Sequence, residues 1–122
     1  MVSLQEQLRS RTKQFAIRII RLFRALPRAE EARIIGRQLL RSGTSVAANY
    51  RAAGRARSKS EFIAKMGVVV EEADETVFWL DLLVEADIVP ETKLRDLSKE
   101  ANELVAIFGA SQRTAKRASS MA

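Results

Sequence analysis

Prolines stand at only two places in this 122-residue chain, Pro27 and Pro90, and five glycines are the other strong breakers. A proline disfavours helical geometry in the residue before it, so each one marks the boundary between two elements. Between these breaks apolar residues recur at spacings of three and four, the period of a helix that buries one face. Leu4, Leu8, Phe15, Ile19, Leu22 and Leu26 form the first row, opened by Ser3 as N-cap with Glu6 completing a capping-box pattern. Ala32, Ile35, Leu39, Val46, Tyr50 and Ala53 form the second, with Glu30 and Glu31 placed where carboxylates suit a helix N-terminus. The third row opens at Ser58 or Ser60 and carries two stripes. One is Phe62, Met66, Val69, Ala73, Leu80 and Leu83; the other is Ile63, Val70, Val77 and Val84, strictly seven apart. Two adjacent stripes imply a broad buried face or contact with two neighbours. The fourth helix runs from about Glu91 to Arg113 on Leu94, Leu97, Ala101, Leu104 and Phe108.

Four helices of roughly 20–27 residues, each about 30–40 Å long and joined by short turns, predict an all-α, antiparallel up-and-down four-helix bundle. The bundle is expected to fill residues 1–113 as a single domain, with residues 114–122 a flexible basic C-terminal tail. No strand pattern competes.

Composition removes several kinds of chemistry. The chain has no cysteine and no histidine. Thiolate metal sites, disulfides and the usual general base are therefore ruled out, and a Glu-x-x-His di-metal constellation cannot be built. Glu71, Glu72, Asp74 and Glu75 form an acidic run on helix three, but such runs are usually a solvated or salt-bridged face. Ser42, Thr44 and Ser45 have no histidine to activate them. The sequence thus predicts neither catalytic nor metal residues, no cofactor, and no enzyme. No apolar run approaches the roughly 18–20 residues that span a bilayer, so no membrane partner is expected and the cytoplasm is the expected location.

Charge is unevenly placed. The net charge is +6, yet residues 1–65 carry 15 Lys/Arg against 4 Asp/Glu, while residues 66–122 carry 6 against 11. Arg33, Arg37 and Arg41 lie four apart on helix two, Arg51 and Arg55 extend a neighbouring row, and Arg57 and Lys59 follow in the turn. Two readings are open. The row either neutralises phosphates of RNA or DNA, in a salt-sensitive and sequence-independent mode, or pairs with the acidic row of helix three in the same or an adjacent subunit. It lacks interleaved exposed aromatics for stacking on single-stranded bases.

The segment Arg41 to Arg51 is the least like an ordinary amphipathic helix. Ser42-Gly43-Thr44-Ser45 is poor helix material, yet the apolar period stays in phase on both sides, so one long helix is expected, held by a close crossing. Asn49 shares a face with Ser42, Val46 and Ala53, and a buried amide needs a partner; Glu72 or Glu75 is the candidate. Such a residue can fix register or oligomeric state. Tyr50, Phe78 and Trp79 read as core or interface rather than ligand-binding. Phe78 and Trp79 are adjacent, about 100° apart on a helix, so at least one should face another subunit or lie under helix four.

The run from Gly36 to Arg51, with Glu61-Phe62-Ile63-Ala64-Lys65 and the pair Glu71–Thr76 and Phe78-Trp79-Leu80, resembles a bacterial four-helix-bundle family. That family was first met as open reading frames inside intervening sequences of 23S ribosomal RNA genes. The resemblance covers about residues 8–113. It implies an up-down bundle that assembles as a ring-shaped homopentamer with no established enzymatic activity, and it gives Arg41 and Arg51 a structural role. A more distant similarity, to the accessory protein of diversity-generating retroelements, implies a basic pentamer that binds nucleic acid and a reverse transcriptase. The expected function is therefore a non-catalytic assembly module. Nucleic-acid contact is assigned to Arg33, Arg37, Arg55, Arg57 and Lys59. Assembly is assigned to Arg41, Ser42, Asn49, Tyr50, Arg51, Glu72, Glu75, Phe78 and Trp79. The alternative is a scaffold that recruits a partner protein, its arginines consumed by salt bridges.

Overall fold

The computed structural model describes residues 1–121. Four helices follow one another, α1 (Leu4–Ala25), α2 (Glu30–Ala53), α3 (Lys59–Glu85) and α4 (Glu91–Met121). α2 packs against both α1 and α3, α3 packs against α4, and α1 approaches α4 less closely, closing a four-helix bundle. None of the helices is long and apolar enough to cross a membrane.

The local signals act as their chemistry requires. The Ser3 side chain accepts the Glu6 backbone N–H, and the Ser58 side chain accepts that of Glu61, each satisfying a donor that has no partner inside its helix. α1 ends at Ala25, ahead of Pro27. Between α3 and α4, Asp87 adopts φ 58°, a left-handed conformation that a short polar side chain tolerates. α2 runs unbroken through Ser42-Gly43-Thr44-Ser45.

Two sequence expectations need correction. α4 does not end near Arg113 but continues as one 31-residue helix to Met121, so the expected tail from Thr114 is helical over residues 114–121; Ala122 lies outside the described residues. Leu4, assigned to the core row of α1, is 68% exposed at the first residue of that helix.

The core is built from the predicted rows. Phe15, Ile19, Leu39, Val46, Met66, Val69, Leu80, Leu83, Leu104 and Phe108 are all sealed from solvent. The second stripe of α3 is half-buried at Val70, Val77 and Val84 and packs against this core, as a helix flanked by two neighbours should. The looser α1–α4 seam is tied by Arg11, whose Nε donates to Glu100 Oε2 at 3.0 Å and whose Nη2 reaches Glu103 at 3.1 Å. A planar guanidinium suits such a two-carboxylate clamp.

Candidate nucleic-acid interface

The small residues of α2 let its neighbours come close. Gly43 is buried against Ile19 of α1: a Cβ placed on Gly43 would lie 2.8 Å from Ile19 Cγ1 and 2.9 Å from Cγ2. One residue earlier, Ser42 faces α3. There the buried Thr76 Oγ1 lies 2.7 Å from the Glu72 carbonyl and 2.9 Å from Ser42 Oγ, which compete for its one proton, and Ser42 Oγ lies 3.3 Å from the Leu39 carbonyl. Thr76 was not singled out from the sequence, where it reads as one more polar residue in an acidic run.

Arg41 leaves α2 toward α3. Its Nη1 donates to Glu72 at 3.1 Å and its Nη2 pairs with Glu75. The Trp79 indole N–H donates to the same Glu75 carboxylate at 2.9 Å. The indole contact first, and Arg41 second, hold the Glu75 carboxyl below its ordinary value of 4.5, while partial burial opposes them. Glu72 and Glu75 are therefore engaged by a guanidinium, the salt-bridge reading of the acidic row. Asn49 is corrected: its amide donates not to Glu72 or Glu75 but to the Ser45 carbonyl at 2.9 Å and Ser45 Oγ at 2.8 Å, within its own helix. Residues four apart on a helix are neighbours, and that local partner wins. Phe78 and Trp79 differ in burial. Phe78 is 55% exposed and meets the half-buried Trp79 edge-on at 4.9 Å.

The arginine row of α2 is not one surface. Each four-residue step overshoots a full turn by about 40°, so Arg33 and Arg41 point roughly 80° apart. Arg33 turns to α1, where its guanidinium stacks 4.4 Å above the Phe23 ring and its Nη1 reaches the Phe23 carbonyl at 3.4 Å. It is therefore half-buried on Phe23, which corrects its placement among free phosphate-binding cations. Arg37 is exposed.

Six cations line two hollows at the other end of α2. A groove of about 690 Å³ along the α1–α2 seam is lined by the small residues Ser10, Thr44, Ala47 and Ala48, by Arg9, Lys13, Arg51 and Arg55, and by one acid, Glu6. A second hollow of about 430 Å³ shares Ala48, Arg51 and Arg55 with it and adds Arg57, Lys65 and Glu61. Among the described residues none of these six cations makes an ion pair. Arg51, assigned to structure alongside Arg41, thus belongs with Arg55 and Arg57 in a basic trough. Arg9, Lys13 and Lys65 were not assigned to it from the sequence, because they come from α1 and α3 and join only through helix packing. Lys59 sits beyond Arg57 at the start of α3, exposed.

The fold and this trough define a class: an all-α four-helix bundle with a basic surface at one end. More particularly, the family of 23S rRNA-intervening sequence proteins matches residues 5–110, and the chain belongs to that family. A crystal structure of a protein of unknown function from the S23 ribosomal protein family of Bacteroides thetaiotaomicron VPI-5482 is similar. It is 28% identical, with a TM-score of 0.83 over 89% of this chain and 97% of that one. No curated protein matches the chain.

Proposed function

We propose that this protein is a non-catalytic, homo-oligomeric bundle of the cytoplasm that binds RNA through its phosphate backbone, using the trough of Arg9, Lys13, Arg51, Arg55, Arg57 and Lys65. The observation that carries the reading is the contrast between two sets of cations. Arg11 and Arg41 are consumed by carboxylates, whereas the six trough cations make no ion pair among the described residues and converge from three helices. Small residues line the groove beside the cations, which leaves room for a sugar–phosphate chain. The homopentamer implied by the family resemblance is proposed as the assembled form. The exposed Phe78 on the outer face of α3 supports a contact with a second copy.

A basic trough that neutralises several phosphates releases counterions, so affinity should fall linearly on a log–log plot against salt. Arg51→Glu with Arg55→Glu should flatten that slope and weaken binding to structured RNA of any sequence, while helicity is kept. An unchanged slope would move the cations to a structural role. The exposed Phe78 also favours a second reading, recruitment of a partner protein at that face, which Phe78→Ser would abolish without altering RNA affinity.

A further inference from the structure

At the same end of the bundle, the N-terminus of α1, the C-terminus of α2 and the N-terminus of α3 surround a cleft of about 580 Å³, closed on one side by Ser111 and Ala115 of α4. Its volume falls in the range of small-molecule sites. Leu4, Leu8 and Phe62 supply apolar walls, and Arg57 and Lys59 stand at its lip. Arg57 also lines the neighbouring basic hollow, so the cleft and that hollow meet at this residue.

Tyr50 makes the cleft more than a gap between helix ends. Its ring packs on Phe108 at 5.0 Å between centroids, and the residue is only 7% exposed. Yet its hydroxyl makes no hydrogen bond to any described residue, and Tyr50 lines the cleft. No fully buried side-chain oxygen among the described residues lacks a partner, so this hydroxyl keeps contact with solvent and is free to donate to a ligand. Burial raises the phenol's pKa, with Arg9 opposing, so at neutral pH it remains a protonated donor. Beside it Gln5 holds the Gly54 carbonyl through its amide nitrogen at 3.4 Å, which leaves the amide oxygen as an acceptor.

We infer that the cleft takes the base of an unpaired nucleotide, whose flanking phosphates lie along the basic trough. The inference rests on the proposed nucleic-acid reading and adds that the strand is single at this point. A base has a flat apolar face for the Phe62 and Leu8 walls and a polar edge for Tyr50 and Gln5. A hydrocarbon tail would cover the Tyr50 hydroxyl without pairing it, which is costly. Paired duplex cannot present a base edge-on to such a cleft, whereas loops and strand ends can.

The test compares a short single-stranded oligonucleotide carrying a terminal 2-aminopurine with a blunt duplex of equal phosphate number, at fixed low salt. The single strand should bind about tenfold tighter, with 2-aminopurine emission altered by enclosure of the base. Ala115→Phe, which fills the cleft and leaves every charge in place, should erase that gap. Tyr50→Phe, which keeps the ring on Phe108, should weaken single-strand binding roughly threefold to tenfold and leave duplex binding unchanged. Equal affinity for both probes, with both variants silent but Arg51→Glu and Arg55→Glu disabling, would overturn the cleft and keep the trough. Binding of neither probe would overturn both.

Discussion

The crossing of α1 and α2 at Gly43 offers a worked prediction. Replacing Gly43 with alanine should raise intrinsic helix stability by about 0.8–1.0 kcal/mol, the usual cost of glycine in a helix interior. Against this, the new methyl would sit 2.8, 2.9 and 3.2 Å from Ile19 Cγ1, Cγ2 and Cβ. Those atoms lie close to the backbone of a β-branched, fully buried side chain, which cannot swing aside. Overpacking of this kind costs about 1–3 kcal/mol, and three clashing atoms place it in the upper part of that range. The net expectation is destabilisation by roughly 1–2 kcal/mol, seen as a lower urea midpoint with an unchanged m-value. Gly36 is the internal control. There the nearest atom is the far end of Leu26, Cδ1, at 2.6 Å, which can rotate, so Gly36→Ala should be within about 1 kcal/mol of neutral. A double-mutant cycle isolates the cause: in an Ile19→Ala background, already weakened by about 2–5 kcal/mol, Gly43→Ala should become neutral or stabilising. Were Gly43→Ala as stable as the parent chain, or its effect the same with and without Ile19, the close-crossing argument would be wrong.

Four further outcomes follow from the same geometry. Thr76→Val leaves the buried Ser42 hydroxyl with only its long bond to Leu39, and should cost about 1–2 kcal/mol by urea denaturation, more than Ser42→Ala, since Thr76 keeps the Glu72 carbonyl. Because the folded state depresses the Glu75 pKa, that group contributes stability above about pH 4.5 and loses it as pH falls through its folded value. Thermal melts and Trp79 fluorescence should therefore show an acid transition that Glu75→Gln flattens, and with the Glu75 side chain 35% exposed the effect should stay below about 1 kcal/mol. Asn49→Ala, which removes only a bond within α2, should change stability by less than about 1 kcal/mol and leave native mass spectra unaltered. Phe78→Ser should leave the melting temperature of the monomeric fold unchanged but shift native mass spectra to smaller species.

The helices were legible because their signals are local. Ser3, Ser58, Pro27 and the apolar rows act within a few residues of where they stand, and the breaks fall where those residues predict. The close crossing at Gly43 was also legible, since poor helix formers in an in-phase helix need an outside reason to be there. What escaped the sequence depends on which helix faces which. The pairing of Ser42 with Thr76 requires the α2–α3 register, and so does the choice of Arg41 over Asn49 as partner of Glu72 and Glu75. The Arg33–Arg41 row looked like one surface because a four-residue spacing is nearly a full turn. The residual drift sends Arg33 to Phe23 and Arg41 to the carboxylates. The trough was half legible, in Arg55 and Arg57, while Arg9, Lys13 and Lys65 reach it from other helices. Tyr50 reads as core or interface from its place in the stripe of α2; its ring packs on Phe108, while the cleft it also lines is assembled from the ends of several helices.

The most direct test of the account is the salt dependence of binding to structured RNA, measured for the parent chain and for the Arg51→Glu, Arg55→Glu double variant in buffers where the assembly state is known. The account predicts a steep linear fall of log affinity with log salt for the parent chain, and a slope reduced by about 2 for the variant, roughly one unit per lost phosphate contact. Weak binding with equal slopes for both proteins would contradict it and leave the trough without a polyanion to hold.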